Sequence, residues 1–218
     1  MTRELPILFN GEMVRALLDG RKTQTRRPVK PQPDTFYGRP LPVSASMRVR
    51  SDGFWVYCVT DADGGGRESG PVGKCPLGAP GDLLYVRETW APCDYHADGV
   101  VRDEPTCVRY RADDAAYRHE GDAVRLDTTG WGPCGGWRPS IHMPKWAARI
   151  WLRVTDARVE RIDSISMADV NAEGFEACEE FEGCFRQTWD AIYGPQGFGW
   201  DANPWVWAVT FERVEAPR

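Results

Sequence analysis

The sequence predicts an α+β fold: a β-rich body with flanking helices and two long loop insertions. Three observations point there. The 218 residues include 22 glycines and 17 prolines, which supply turns in a number that long helices would not tolerate. Short apolar runs rich in Val, Ile, Leu, Tyr and Trp recur between turn residues, as strands do. Only a few stretches carry the 3.6-residue period of a helix with one buried face.

In chain order, Leu5-Pro6-Ile7-Leu8-Phe9 reads as a short strand. Past Asn10 and Gly11, the apolar positions Met13, Val14, Leu17 and Leu18 fall at helical spacing, and Gly20 stops that helix. Residues 31–73, rich in Pro, Gly, Ser and Asp, read as the first insertion; the strand-like run 54–59 suggests a hairpin in it. Pro80-Gly81-Asp82 turns the chain into the strand Leu83-Leu84-Tyr85-Val86. Residues 91–136 keep no sustained period and read as the second insertion. Order returns at Trp137. A strand covers 150–155, and 157–162 continues it or pairs with it. Ser166 and Asp169 form an S-x-x-D capping signal for a helix that Gly174 ends. A further helix spans about 181–193, and 204–211 forms the last strand. One domain over 1–218 is expected.

The net charge of −5 weighs against a protein that coats nucleic acid over its whole surface. With 27% charged and 42% hydrophobic residues the composition is that of an ordinary globular chain. No run approaches the roughly 18 apolar residues of a spanning helix, and the first residues lack the apolar run of a secretion signal. A cytoplasmic protein with no membrane partner is therefore expected. Seven cysteines without such a signal suggest free thiols or a metal site before a disulfide framework. Against the acidic total, Arg15, Arg21, Lys22, Arg26, Arg27 and Lys30 stand with only Asp19 opposing them, a local balance of +5.

That basic segment holds the first chemical candidates. Lys22 and Thr25 lie three residues apart directly after a helix end, so they face one space if a helical turn continues. A Thr hydroxyl needs a base, and a Lys serves as one only when its proton is loosely held; the cations Arg21, Arg26 and Arg27 push in that direction. The same run also reads as a solvated basic loop closing a helix. Glu173, at the end of the Ser166 helix, faces the negative end of the helix dipole, a placement that suits an acid/base group as well as an exposed helix carboxylate. Glu88, at the end of a strand and beside Trp90, could line a pocket or form a surface ion pair with Arg87 or another Arg. Cys93-x2-His96 has ligand-like spacing, with Cys107, Cys134 and His142 as completions, but no second such pair exists, and no metal or cofactor is assigned. Ser140 and His142 offer a nucleophile and a base without a demonstrated contact. Eight of the ten Trp lie at or beyond Trp131; most rings of this kind are core, and one or two could stack on a base.

The run Gly20-Arg21-Lys22-Thr23-Gln24-Thr25-Arg26-Arg27 resembles the G-x-K-x-x-T-x-R signature of the ASCH domain, a member of the PUA-like β-barrel superfamily. Later segments agree in order: Gly81-Asp82 before a strand, Met167 through Phe175, a helix with Phe185 and Trp189, and a last strand ending Val209-Thr210-Phe211-Glu212-Arg213-Val214. The chain is similar in particular to the longer ASCH proteins of bacteriophages and prophages. The resemblance covers about 5–30, 74–90 and 137–215. It implies a PUA-like barrel and an amidohydrolase that removes the acyl group of a modified pyrimidine such as N4-acetylcytidine. Lys22, Thr25 and Glu173 would be the catalytic residues, and Arg21, Arg26, Arg27 and Glu88 would bind substrate. Two other readings follow from the same resemblance: a non-catalytic binder of RNA, single-stranded nucleic acid or modified bases, and a phage interaction or assembly protein that keeps the barrel as scaffold.

Overall fold

The computed structural model describes residues 2–33, 35–36, 39–40, 46–49, 54–60, 66–92, 107–118, 124–126, 136–175 and 181–217. The fold is mixed α+β. The early elements are β1 (Glu4–Leu8), α1 (Gly11–Leu18), β2 (Gln24–Pro28), β3 (Thr35–Phe36), β4 (Arg39–Pro40), β5 (Ser46–Val49), β6 (Trp55–Thr60) and β7 (Gly66–Gly73). Then come β8 (Leu83–Arg87), β9 (Trp90–Pro92), β10 (Cys107–Tyr110), β11 (Ala116–Arg118) and β12 (Val124–Leu126). Last are β13 (Trp151–Arg161), α2 (Met167–Ala172), α3 (Phe181–Tyr193) and β14 (Trp205–Val214). Hydrogen-bonded neighbours run β1-β8-β13-β14-β2 in a five-stranded sheet, β12-β11-β10-β9 in a four-stranded sheet and β5-β6-β7 in a three-stranded sheet, with β3-β4 as a separate pair.

The chain divides into two compact units. The first comprises Met1–Gly20, Leu83–Arg153 and Arg213–Arg218. Here β1 runs parallel to β8 with Glu4 opposite Leu83, and β8 pairs antiparallel with the start of β13, Tyr85 opposite Trp151. Helix α1 is capped as its sequence requires: Asn10 accepts the Met13 N–H at 2.8 Å. Gly20 follows the helix at φ +75°, a conformation that favours glycine. A core of Trp90, Val108, Tyr110, Met143, Ala147, Ala148 and Trp151 packs in this unit.

The second unit comprises Arg21–Asp82 and Val154–Glu212. β14 pairs antiparallel with β2, Thr210 opposite Gln24 through Val206 opposite Pro28. Ile162, Ile165, Val170, Phe185, Trp189 and Val206 form its core, with Phe175, Tyr193 and Trp200 at the margin. Trp205 and Trp207 are buried, as alternating core positions on β14 should be. The Ser166 capping box is complete: Asp169 N–H donates to Ser166 Oγ, and Ser166 N–H donates back to Asp169 Oδ2. Gly174 closes α2 at φ +94°.

Three expectations need correction. The basic run after Gly20 does not continue as a helical turn or a solvated loop; it enters the buried strand β2. Residues 91–136 are not a structureless insertion, because β10, β11 and β12 lie within them. Their signal was hidden by Arg109, a charged residue buried on β10 because Asp114 takes its guanidinium at 2.5 and 2.7 Å. The region 31–73 carries five strands where one hairpin was expected, and the two apolar runs within 150–162 join in one continuous strand, β13 (Trp151–Arg161). No helix among the described residues is long and apolar enough to cross a membrane.

Candidate functional site

In the second unit, β2 and the end of α2 bring together residues that the sequence separates widely. Lys22 forms an isolated antiparallel bridge with Glu173, and Thr23 N–H donates to Ala172 O at 2.7 Å. The backbone at the α2 end is thereby joined to the segment leading into β2. Glu173 is the residue that caps α2, and its own N–H returns to Asp169 O at 2.8 Å. The Lys22 side chain then turns inward and is 0% exposed. Its Nζ donates to Glu173 Oε2 at 2.7 Å, Glu173 O at 2.9 Å and Gln24 O at 2.9 Å. Burial pulls the Lys22 pKa below the ordinary lysine value; the Glu173 carboxylate opposes the shift, and the cations Arg27 and Arg26 add to it.

Arg26 is the second charged centre. Its guanidinium donates to Glu160 Oε1 through Nε at 3.0 Å and Nη2 at 2.7 Å, to Gln24 Oε1 at 2.6 Å and to Glu173 Oε1 at 3.3 Å. Asp169 Oδ1 is a further 3.3 Å neighbour. Arg158 bonds the outer side of the same acids, Glu160 Oε2 and Asp169 Oδ1, each at 2.8 Å. Burial opposes the ionisation of Asp169, but bonds from the Ser166 side chain and backbone, with Arg26 and Arg158, hold its carboxyl well below the usual range. Two cations, Lys22 and Arg26, therefore share Glu173, and each carboxylate in the group meets at least one positive partner.

Strand parity sorts the signature residues. Lys22, Gln24 and Arg26 contact one another or the shared Glu173, as i and i+2 positions on one face do. Thr25 and Arg27 form the alternate set: Arg27 Nη1 donates to Thr25 Oγ1 at 2.9 Å and to Arg26 O at 2.9 Å. Tyr193, on α3, accepts a hydrogen bond from Arg27, and its hydroxyl pKa is raised, chiefly by burial. The structure thus joins Lys22, Glu173 and Arg26, and separately joins Thr25 and Arg27. Arg21 lies apart, exposed, with Nη1 donating to Gly174 O at 2.8 Å. Thr25 is fully buried and Arg26 is 2% exposed.

Glu88 belongs to the first unit and is paired there. Both its oxygens accept from Arg149, at 2.9 Å each, and the same guanidinium also takes both oxygens of Asp113 at 2.8 and 2.9 Å. The Arg149 carbon lies 4.1 Å from the centre of the Tyr110 ring and 5.5 Å from that of Tyr117. Burial pushes the Glu88 carboxyl up, against Arg149. Glu88 lines a pocket, and its ion pair is a buried one with Arg149, where the alternative expected was a surface pair with Arg87 or another Arg.

Sequence reasoning missed Glu160, Asp169, Arg158 and Tyr193 around the Lys22 group and Arg149 beside Glu88. The alternation of Arg158 and Glu160 on a strand was the one available signal, since i and i+2 side chains share a face. Cys93, His96 and Cys134 lie outside the described residues, and among the described residues no three His, Cys, Asp or Glu are grouped to hold a metal. Cys75 is a buried free thiol, whereas Cys107 and Cys184 are disulfide-bonded, which corrects the expectation of thiols for those two. Ser140 and His142 sit on one 3-10 turn with no buried residue. No family model matches this chain, and neither does any curated protein or solved structure.

Proposed function

We propose that this protein is a PUA-like barrel of the ASCH kind that acts in the cytoplasm on a modified nucleoside or its nucleic-acid form. Its reaction is amide hydrolysis, removing the acyl group of a pyrimidine such as N4-acetylcytidine. The observation that carries the reading is the buried contact of Lys22 Nζ with Glu173 Oε2 at 2.7 Å. A lysine whose proton is loosened by burial, set against a carboxylate, can act as a base and hand a proton on by way of that carboxylate.

In the proposed sequence the Lys22 amine takes the Thr25 hydroxyl proton. Because residues 22 and 25 have opposite parity on an extended segment, this transfer passes through one water. Thr25 Oγ1 bonds to the acyl carbon, the acyl C–N bond breaks, and the proton that Lys22 has taken passes by way of Glu173 to the departing ring amine. Water then hydrolyses the acyl-threonine and regenerates the hydroxyl. Arg27, already donating to Thr25 Oγ1, favours the oxygen anion that forms during attack. A non-catalytic binder is the second reading. It is favoured by the saturation of Lys22 Nζ, whose three N–H bonds have three acceptors within the protein.

The test is incubation of the full chain with N4-acetylcytidine, with cytidine and acetate followed by chromatography. The expected outcome is turnover that falls by about 10²-fold or more in Glu173→Gln and Thr25→Val. Turnover that survives only in Thr25→Val assigns the nucleophile to water. Absence of turnover, with saturable binding of the nucleoside, supports the binder.

A further inference from the structure

The first unit holds a cavity of about 260 Å³ that none of the Lys22 group lines. Its wall is Gly11, Arg15, Glu88, Thr89, Arg111 and Ala112. Sites that enclose a drug-sized ligand run from roughly 300 to 1,000 Å³, so this one suits a small ion or one functional group.

The wall is rich in unspent donors. Arg111 is exposed, and its guanidinium makes no ion pair or hydrogen bond with any described residue. Its backbone N–H donates to Thr89 O at 3.0 Å, which fixes the residue beside Thr89. The Thr89 hydroxyl is likewise without a partner among the described residues. Arg15 gives Nη1 to Ala112 O at 2.8 Å, which holds its guanidinium at the cavity wall with other N–H groups to spare. Gly11 opens α1, whose first turn presents the positive end of the helix dipole.

One element of the wall has the opposite sign. Glu88 is 1% exposed and is neutralised by Arg149, which also carries Asp113. Glu12, on the first turn of α1, is exposed and is not part of the wall. A carboxylate beside two guanidiniums accepts a hydrogen bond from a ligand O–H and repels a bare oxygen.

We propose that this cavity binds inorganic phosphate or a phosphomonoester, with Arg15 and Arg111 on its oxygens, Thr89 donating to it, and Glu88 selecting an anion that keeps a proton. Phosphate monoesters lose their second proton at a pKa of about 6, so near neutrality part of the population still carries an O–H. Sulfate and phosphodiesters carry none. The site therefore discriminates by protonation, and it reads a free small phosphate and not a nucleic-acid backbone.

Calorimetric titration of the full chain at pH 6.5 and fixed ionic strength tests this, with inorganic phosphate as the probe. Saturable binding is expected, with sulfate weaker by about tenfold or more, as the loss of a charged hydrogen bond implies. Arg111→Ala, at an exposed position, should weaken phosphate by about tenfold, and Arg111→Lys should weaken it less. Glu88→Gln should narrow the ratio of phosphate to sulfate. Since Arg149 loses its charged partner in that variant, Thr89→Val serves as an independent lesion, expected to weaken phosphate while the circular dichroism spectrum is unchanged. A nucleoside 5′-monophosphate should compete, and a single-stranded oligonucleotide without terminal phosphate should not. The proposal is overturned by absence of phosphate binding, by equal affinity for sulfate, by affinity that Arg111→Ala leaves intact, or by displacement with that oligonucleotide.

Discussion

Lys22 and Glu173 are 151 positions apart in the chain and 2.7 Å apart in space. Removing one partner leaves a charge in a water-poor site; removing both leaves an apolar gap that neighbours can fill. Lys22→Met should therefore cost about 3 kcal/mol, since Glu173 keeps only Arg26, and Glu173→Leu should cost about as much. The double variant should be less destabilised than the two singles summed, by about 2 kcal/mol in urea unfolding; additivity within about 0.5 kcal/mol would show the pair to be uncoupled. At this scale the sequence was legible in part. The residues of the pair were identifiable by resemblance, but their partners were not. Helical spacing made Lys22 and Thr25 neighbours, whereas strand parity pairs Lys22 with Arg26 and Thr25 with Arg27. Arg149 gave no signal at all, because its carboxylate partners lie 36 and 61 residues away.

Helix α2 is six residues long, too short to persist without its caps, and it positions Glu173. Ser166→Ala should cost about 1 kcal/mol and weaken the register of the Lys22 contact. Asp169 serves the same element as capping-box acceptor and as anion for Arg26 and Arg158. Its folded carboxyl is held below its unfolded value of about 3.9, so its contribution is present above that pH and is lost as pH falls through the lower folded value. Unfolding free energy should accordingly decline below about pH 4, and Asp169→Asn should flatten that decline while lowering stability at pH 6. An acid limb unchanged in the variant would assign it to other carboxylates. The capping signal and the closing Gly174 were readable because both act locally. The buried β2 strand was not readable, since a run with four cations reads as surface until the acids of β13 and α2 are placed against it.

Over the whole molecule, the net charge of −5 and the +5 segment at 15–30 acquire a narrower meaning. Lys22 and Arg26, two of its six cations, are buried and neutralised, so the segment is no open basic patch. Association with an unmodified single-stranded oligonucleotide at physiological salt should be weaker than about 10⁻⁴ M in fluorescence anisotropy. Micromolar binding with steep salt dependence would contradict this. Turn-rich composition and abundant Trp correctly announced a β-rich α+β chain. The strands inside 31–73 and 91–136 escaped because their short lengths and charged members hide the alternation by which strands are read.

The most direct measurement is the single-turnover rate of N4-acetylcytidine deacetylation by the full chain, compared with Glu173→Gln and Lys22→Arg as a function of pH. A rate that rises with pH as Lys22 gives up its proton, and that drops by about 10²-fold or more in both variants while each remains folded, is the expected result. Equal rates in all three proteins, or deacetylation by none of them, would contradict a proton-handling role for the Lys22–Glu173 pair.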